Sequence, residues 1–287
     1  ALCSNVLALA GERPLAPQLL IDGPAEAALT LALAHGAGAP MDSPFMPFFG
    51  HGVAAAGFRV VLFECPYRAA RRSDGTRRPP DRPNVLLDAW QSVIDRLDPA
   101  QLVIGGKSLG GRIASMIADA AGVRGLACLG YPFHPPGQPQ KLRTAHLQAL
   151  QTPALILQGT RDPFGGIEEV VHYGLAPAIR VHWLPDGDHG FAPRRGSGRT
   201  AQQNLEEALA VGAPCEGVAD LSRDAEPKTV AVQLEPPVAK VIVAARIAAA
   251  KAAAAAKARL AKSKRGKLLA KGRDGKQKPA GAKAAGK

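Results

Sequence analysis

Cysteine is scarce in this sequence of 287 residues. The four cysteines are Cys3, Cys65, Cys128 and Cys215, and no two of them form a C-x-x-C pair. Disulfide frameworks and structural zinc sites normally need paired cysteines, so we expect a reduced, cytoplasmic protein without a bound metal. Unbroken apolar runs of 18 or more residues are also absent, so we expect no transmembrane helix. The first residues lack a basic leader, so we do not expect a signal peptide.

Acidic residues are nearly absent from residues 238–287. This Ala- and Lys-rich tail holds 15 of the 36 basic residues but only 1 of the 24 acidic ones, so the net charge of +12 belongs to the tail. The tail also has no aromatic residue, so it could contact phosphates but could not stack on bases. Non-specific contact with nucleic acid is therefore one prediction. A solvated solubility tail and binding to an anionic membrane surface are the alternatives.

Changes in composition divide the chain into four parts. Residues 1–17 form an N-terminal extension, 18–212 a domain, 213–237 a linker with four prolines, and 238–287 the basic tail. Within the domain, strands are predicted at 18–22, 27–34, 58–63, 102–104, 123–131, 153–158 and 179–184. Helices are predicted at 45–56, 84–98, 111–121, 166–173 and 200–211, and an arginine-rich loop at 66–82.

This alternation of strands and helices predicts an α/β protein. Strands that are apolar on both faces indicate a mostly parallel sheet with helices on both sides. Only about twenty residues separate the strand ending near Tyr131 from the one starting near Pro153, which leaves no room for a large cap. Ligands of such sheets bind beyond the carboxyl ends of the strands, so functional residues are sought there.

A G-x-S-x-G pentapeptide follows the strand at 102–104. It runs from Gly106 to Gly110, with Ser108 at its centre, and a small-residue helix comes directly after it. Strand, tight glycine turn and helix are the context of a nucleophile elbow, which holds a serine hydroxyl above the sheet. The alternative is a glycine-rich turn with an incidental serine.

Two further residues follow strands in the order that a catalytic triad requires. Asp162 comes after the strand at 153–158, and His189 lies in an Asp/Gly turn after the last strand. A serine nucleophile needs a base and an acid that orients the base, so we predict Ser108, His189 and Asp162 in these roles. The oxyanion donors would be the N–H of Leu109 and that of Ala37, in the HGAG loop after the second strand.

Several other side chains are candidates for substrate binding. His35 belongs to the HGAG loop, Lys107 precedes the serine, and His134 follows a strand end. Arg71 and Arg72 belong to the arginine-rich segment, which is either a solvated surface or a site for an anionic acyl substrate.

Together, the segments IGGKSLGGRIAS, LAHGAGAPMDSPFM, FECPYRAARRSDGTRRPPDRP, GYPFHPPG, LILQGTRDPFG and WLPDGDH resemble the dienelactone-hydrolase-like branch of the α/β-hydrolases. Within that branch they are most similar to small bacterial proteins related to the hydrolase-like domain of an NSL-complex subunit and of a testis-expressed protein. The resemblance covers residues 18–211. It implies an α/β-hydrolase core and a serine hydrolase without metal or organic cofactor, acting on an ester, thioester or related acyl bond. The alternative is a hydrolase-like scaffold whose tail contacts nucleic acid.

Overall fold

The computed structural model of the protein describes residues 17–212. Seven strands of this part form one sheet in the order β1-β3-β2-β4-β5-β6-β7. They are β1 (Leu19–Asp22), β2 (Thr30–Ala34), β3 (Arg59–Phe63), β4 (Leu102–Lys107), β5 (Gly125–Leu129), β6 (Ala154–Gly159) and β7 (Ile179–Leu184). The edge strand β1 pairs antiparallel with β3, and the other pairings are parallel. The predicted mostly parallel α/β architecture is confirmed.

Helices cover both faces of this sheet. They are α1 (Phe45–Ala55), α2 (Pro66–Asp74), α3 (Pro83–Ile94), α4 (Leu109–Ala121), α5 (Ile167–Val170) and α6 (Ala201–Gly212), with short 3-10 helices at Pro99–Gln101 and Ala145–Gln148. The segment between β5 and β6 contains only the second 3-10 helix, as expected for a fold without a large cap. Within residues 17–212, no helix has the length and apolar character needed to cross a bilayer.

Two apolar cores follow from the alternation of side chains along each strand. One face of the sheet presents Ala32, Val61, Ile104, Cys128 and Ile156 to a core that includes Trp90 of α3 and Ile113 of α4. The opposite face presents Leu31, Val60, Val103, Leu129 and Leu157 to a core that includes Phe49 of α1 and Ala208 of α6. Because adjacent residues of a strand serve different cores, the strands read as continuous apolar runs.

The arginine-rich segment is partly helical, so the prediction of a loop over 66–82 is wrong for its first half. Pro66 occupies the start of α2, where its missing N–H costs nothing, and Gly75 ends the helix with φ of 73°. Arg71 and Arg72 lie in the last turn, where cations interact favourably with the helix dipole. Both capping signals were present in the sequence, but the density of arginine obscured them.

The cap of α6 is confirmed. The Gln203 N–H donates to Thr200 Oγ1 at 3.1 Å, and the Thr200 N–H donates to Gln203 Oε1 at 2.8 Å, which is a capping box. The helix includes Gly212, one residue beyond the predicted end. The predictions of an N-terminal extension, a linker and a basic tail lie outside the described residues, apart from the extension's last residue.

Candidate active site

Ser108 sits at a strained turn between β4 and α4. Its backbone has φ of 50° and ψ of −111°, a conformation that a residue with a Cβ rarely adopts. A Cβ at Gly106 would lie 2.0 Å from the Ala34 carbonyl oxygen, and a Cβ at Gly110 would lie 2.3 Å from the same atom. The two glycines of the pentapeptide are therefore required because the end of β2 packs directly against the elbow.

Asp162 and His189 are hydrogen-bonded to each other. His189 Nδ1 lies 2.7 Å from Asp162 Oδ2. The Asp162 side chain is fully buried, whereas that of His189 is 22% exposed. Gln158 Nε2 also donates to Asp162 Oδ2, at 3.0 Å, and the Phe164 N–H donates to the other carboxylate oxygen, at 2.8 Å. These donors fix the carboxylate toward the imidazole, and the contact through Nδ1 leaves Nε2 of His189 available for a proton transfer.

Ser108 and His189 share the wall of a cavity of about 590 Å³. The lining residues are Gly36, Ala37, Gly38, Ala39, Ser43, Phe45, Met46, Pro80, Lys107, Ser108, Leu109, Arg112, Pro132, Arg143, Phe164 and His189. The cavity lies beyond the carboxyl ends of β2, β4, β5 and β6, where parallel α/β sheets bind ligands.

Both predicted oxyanion donors belong to this cavity wall. Leu109 is the first residue of α4, so its N–H has no acceptor within the helix. The HGAG loop passes close to the serine, since a Cβ at Gly36 would lie 3.5 Å from the Ser108 Cβ. Ala37, the next residue, lines the cavity. One backbone group therefore comes from the first turn of α4 and the other from the loop that follows β2.

Lys107 reaches across the cavity wall to the histidine loop, the turn that contains His189. Its Nζ donates to the His189 carbonyl oxygen and lies 5.3 Å from the ring centre of Phe45 and 5.5 Å from that of Phe191. Burial lowers the pKa of Lys107 to about 8, although the charges of Asp162 and Asp188 oppose the shift. Lys107 is therefore at the site, as expected, with its ammonium group already engaged.

The expectation that His35 contacts substrate is not supported by its position. His35 is fully buried and is not part of the cavity wall. Its Nδ1 lies 2.8 Å from the Gly36 carbonyl oxygen, and its Nε2 lies 3.0 Å from the Cys65 backbone nitrogen and 3.2 Å from Glu64 Oε1. Because both ring nitrogens have partners, His35 supports the HGAG loop from behind.

His134, Arg71 and Arg72 also lie away from the cavity wall. His134 is 2% exposed, and its Nε2 lies 2.7 Å from Glu169 Oε2. Arg72 pairs with Asp42 and Glu64, and Arg71 is exposed on the same helix. In place of the arginines of α2, the structure brings Arg112 and Arg143 to the cavity, and we did not single out either residue from the sequence. Arg112 had a signal, because it lies four residues after Ser108 on the predicted helix.

A second serine and histidine contact each other in the described part of the chain. Ser115 Oγ lies 2.8 Å from His146 Nε2 and donates to the Arg112 carbonyl oxygen at 2.7 Å. Ser115 is 2% exposed in the middle of α4 and does not line the cavity, and among residues 17–212 no carboxylate is bonded to His146. Without access to substrate or an orienting acid, this pair has the character of a packing contact.

Solved structures share this fold at low sequence identity. An alpha-beta serine hydrolase homologue from Coxiella burnetii is 16% identical with a TM-score of 0.52, covering 75% of this chain and 100% of its own. Dienelactone hydrolase from Anabaena variabilis is 19% identical with a TM-score of 0.50, covering 68% and 96%. A monoacylglycerol lipase from Paleococcus ferrophilus is 14% identical with a TM-score of 0.50, covering 68% and 98%. At such identities, the likeness concerns the fold alone.

A family model decides the classification of the chain. The model of the alpha/beta hydrolase domain matches residues 27–214, about two thirds of the sequence. The match begins just before β2 and ends just after α6, so it contains the elbow, the histidine loop and the whole cavity. The protein belongs to the alpha/beta hydrolase domain family.

Proposed function

We propose that the protein is a serine hydrolase of esters, thioesters or related acyl bonds. The observation that carries the proposal is the 2.7 Å hydrogen bond between Asp162 and His189 at a cavity that the strained Ser108 also lines. A nucleophile, an oriented base and unpaired backbone donors at one cavity are the groups that acyl transfer needs.

In the proposed reaction, Ser108 Oγ attacks the carbonyl carbon of the bound ester while His189 Nε2 accepts the hydroxyl proton. Asp162 holds the imidazole in position and stabilises its charged form. The N–H groups of Leu109 and Ala37 donate to the oxygen of the tetrahedral intermediate. Collapse of the intermediate expels the alcohol, which takes the proton from His189. Water then attacks the acyl-enzyme with His189 as the base and releases the acid.

The test compares two serines of the same chain. Ser108→Ala should lower kcat/KM for short p-nitrophenyl esters by at least ~10³-fold and abolish labelling by a fluorophosphonate probe, because no nucleophile remains. Ser115→Ala is the matched control, and it should keep the labelling and most of the activity. Circular dichroism would verify that both variants are folded.

The opposite pattern would sink the proposal. If Ser115→Ala loses the labelling while Ser108→Ala keeps it, the pair of Ser115 and His146 is the reactive one. If the wild-type chain neither turns over esters nor reacts with the probe, the alternative of a hydrolase-like scaffold whose tail contacts nucleic acid is favoured. We also propose that the protein is related to the hydrolase-like domain of the NSL-complex subunit and of the testis-expressed protein. A cytoplasmic location is a further proposal.

A further inference from the structure

Two arginines line the proposed acyl site. Arg112 lies one turn along α4 from Ser108, and its N–H donates to the Ser108 carbonyl oxygen at 3.0 Å. Arg143 follows β5, and its N–H donates to the Phe133 carbonyl oxygen at 2.7 Å. Both residues line the cavity of about 590 Å³ that contains Ser108 and His189.

Neither cavity arginine has an acidic partner among residues 17–212, whereas five other arginines of this range form ion pairs. Those arginines are Arg72, Arg78, Arg161, Arg194 and Arg199. Arg112 Nε is buried without a hydrogen-bond partner in the described part of the chain, as are Arg59 Nε and Arg68 Nε. Of these three, only Arg112 lines the cavity. A buried donor that lacks a partner is costly, unless a ligand supplies the acceptor.

The groups around the two arginines do not neutralise them. The Tyr131 hydroxyl donates to the Arg143 carbonyl oxygen at 3.1 Å and lies 3.4 Å from His146 Nε2. Burial and the charge of Arg112 lower the pKa of His146, so its imidazole is neutral near pH 7. Burial and the charge of Arg112 also lower the pKa of Arg143. Within the described residues, the cavity therefore has a positive end beside the nucleophile that no acidic side chain pairs with.

We propose that Arg112 and Arg143 bind an anionic group of the acyl substrate, either a carboxylate or a phosphate. This specificity rests on the proposed function of the same site. Guanidinium groups suit both anions, because their planar N–H donors match paired oxygens. Since residues four apart on a helix are ~6 Å from each other, the anion would lie a few methylene groups from the carbonyl carbon. Phe45, Met46 and Phe164 provide apolar wall for that spacer.

The test measures binding without chemistry. Ser108→Ala in the full chain removes the nucleophile, and calorimetry with adipate and with inorganic phosphate reports the anion site alone. At least one anion should bind, and Arg112→Met or Arg143→Met should weaken its affinity at least ~10-fold. Arg124→Met is the control for loss of charge, because Arg124 is exposed, outside the cavity and without an ion pair among the described residues. It should leave the affinity unchanged.

The anion that binds shows whether the site accepts a carboxylate or a phosphate. Absence of binding by both anions, or equal affinity in all the arginine variants, would overturn the proposal whether or not the protein hydrolyses esters. If Arg112→Met does not fold, Arg112→Gln and Arg143→Met together keep the test decisive.

Turnover gives an independent readout in the wild-type chain. If the anion is a carboxylate, the mono-p-nitrophenyl ester of adipate should show a kcat/KM at least ~10-fold above that of p-nitrophenyl hexanoate, which has the same chain length and no charge. Arg143→Met should reduce this ratio, whereas Arg124→Met, outside the cavity, should leave the turnover of both esters unchanged. An equal loss for both esters would indicate a structural role for Arg143 and contradict its assignment to specificity. If the wild-type chain binds the anion but turns over neither ester, the hydrolase proposal fails and the assignment of the anion site stands.

Discussion

At the scale of a single residue, Lys107 illustrates the electrostatic cost of building the site. Its ammonium group is held against the His189 carbonyl oxygen and two phenyl rings. Burial disfavours the charged form and lowers the pKa of Lys107 to about 8. The unfolded chain binds this proton more tightly, with a pKa of about 10.4. Protonation of Lys107 therefore opposes folding, most strongly below pH 8.

This shift predicts a pH dependence of stability that a single substitution isolates. As the pH rises from about 8 to 10.5, the unfolded state holds more protons at Lys107 than the folded state, so the free energy of unfolding rises. Relative to Lys107→Met, the wild-type chain should gain roughly 2–3 kcal/mol over this window, at 1.36 kcal/mol per pKa unit. Urea unfolding of both chains at pH 7, 9 and 10.5 measures the difference. A difference independent of pH would contradict the shifted pKa.

Individual residues could be predicted where a local motif accounts for their position. The elbow glycines mark Ser108, and turns after strands mark Asp162 and His189, so chain order sufficed to propose all three as candidates. His35 and His134 could not be judged in this way, because their burial depends on Glu64 and Glu169, which contact them only through the tertiary fold.

At the scale of elements, a buried carboxylate joins the end of β3 to β2 and α2. The Glu64 side chain is fully buried, 3.2 Å from His35 Nε2 and 2.5 Å from the Arg72 guanidinium group. Arg72 in turn pairs with Asp42 beyond the HGAG loop. Burial alone would raise the pKa of Glu64, but its hydrogen bonds to His35 and Arg72 keep it below the usual value. Glu64 thus remains charged and depends on these partners.

Removal of Arg72 should therefore destabilise the fold more than its exposure suggests. Arg72→Met leaves the buried Glu64 without its guanidinium partner, and loss of one member of such a pair costs on the order of 2–3 kcal/mol. Arg71→Met is the control on the same helix, since Arg71 is exposed and has no ion pair among the described residues. Its effect should stay within about 0.5 kcal/mol. Equal urea midpoints for the two variants would show that the contact contributes nothing measurable.

The elements themselves were predictable from periodicity, with α2 as the exception. Apolar spacing identified α3, and continuous apolar runs identified the strands, because α3 packs on one core and the strands contribute side chains to both. In helix α2 Tyr67 is the buried residue and the segment is rich in arginine, so it has no stripe of large apolar residues, and its capping residues are the remaining signal. An element can be predicted from sequence when it buries an apolar face, and its intrinsic propensity matters less.

At the scale of the whole molecule, the fold class followed from the alternation of strands and helices, but the strand order did not. Strand β3 lies between β1 and β2 because β1 pairs antiparallel at the edge, and local sequence does not encode such a pairing. The end of the sheet that holds the cavity was predicted, but its two arginines were not, since Arg112 and Arg143 come from segments 31 residues apart that meet only when β4 and β5 pair.

The last prediction concerns the division between the domain and the basic tail. Both cores and the cavity are built from residues 17–212. Deletion of 238–287 should therefore leave the melting temperature unchanged and the ester kcat/KM within about twofold of that of the full chain. The deletion changes the net charge from +12 to −2. Affinity for duplex DNA at 50 mM salt should fall at least ~10-fold, and the steep salt dependence of the full chain should disappear. Unchanged DNA affinity would reject the nucleic-acid role. A parallel loss of binding to anionic lipid vesicles would instead indicate that the tail recognises negative charge in general.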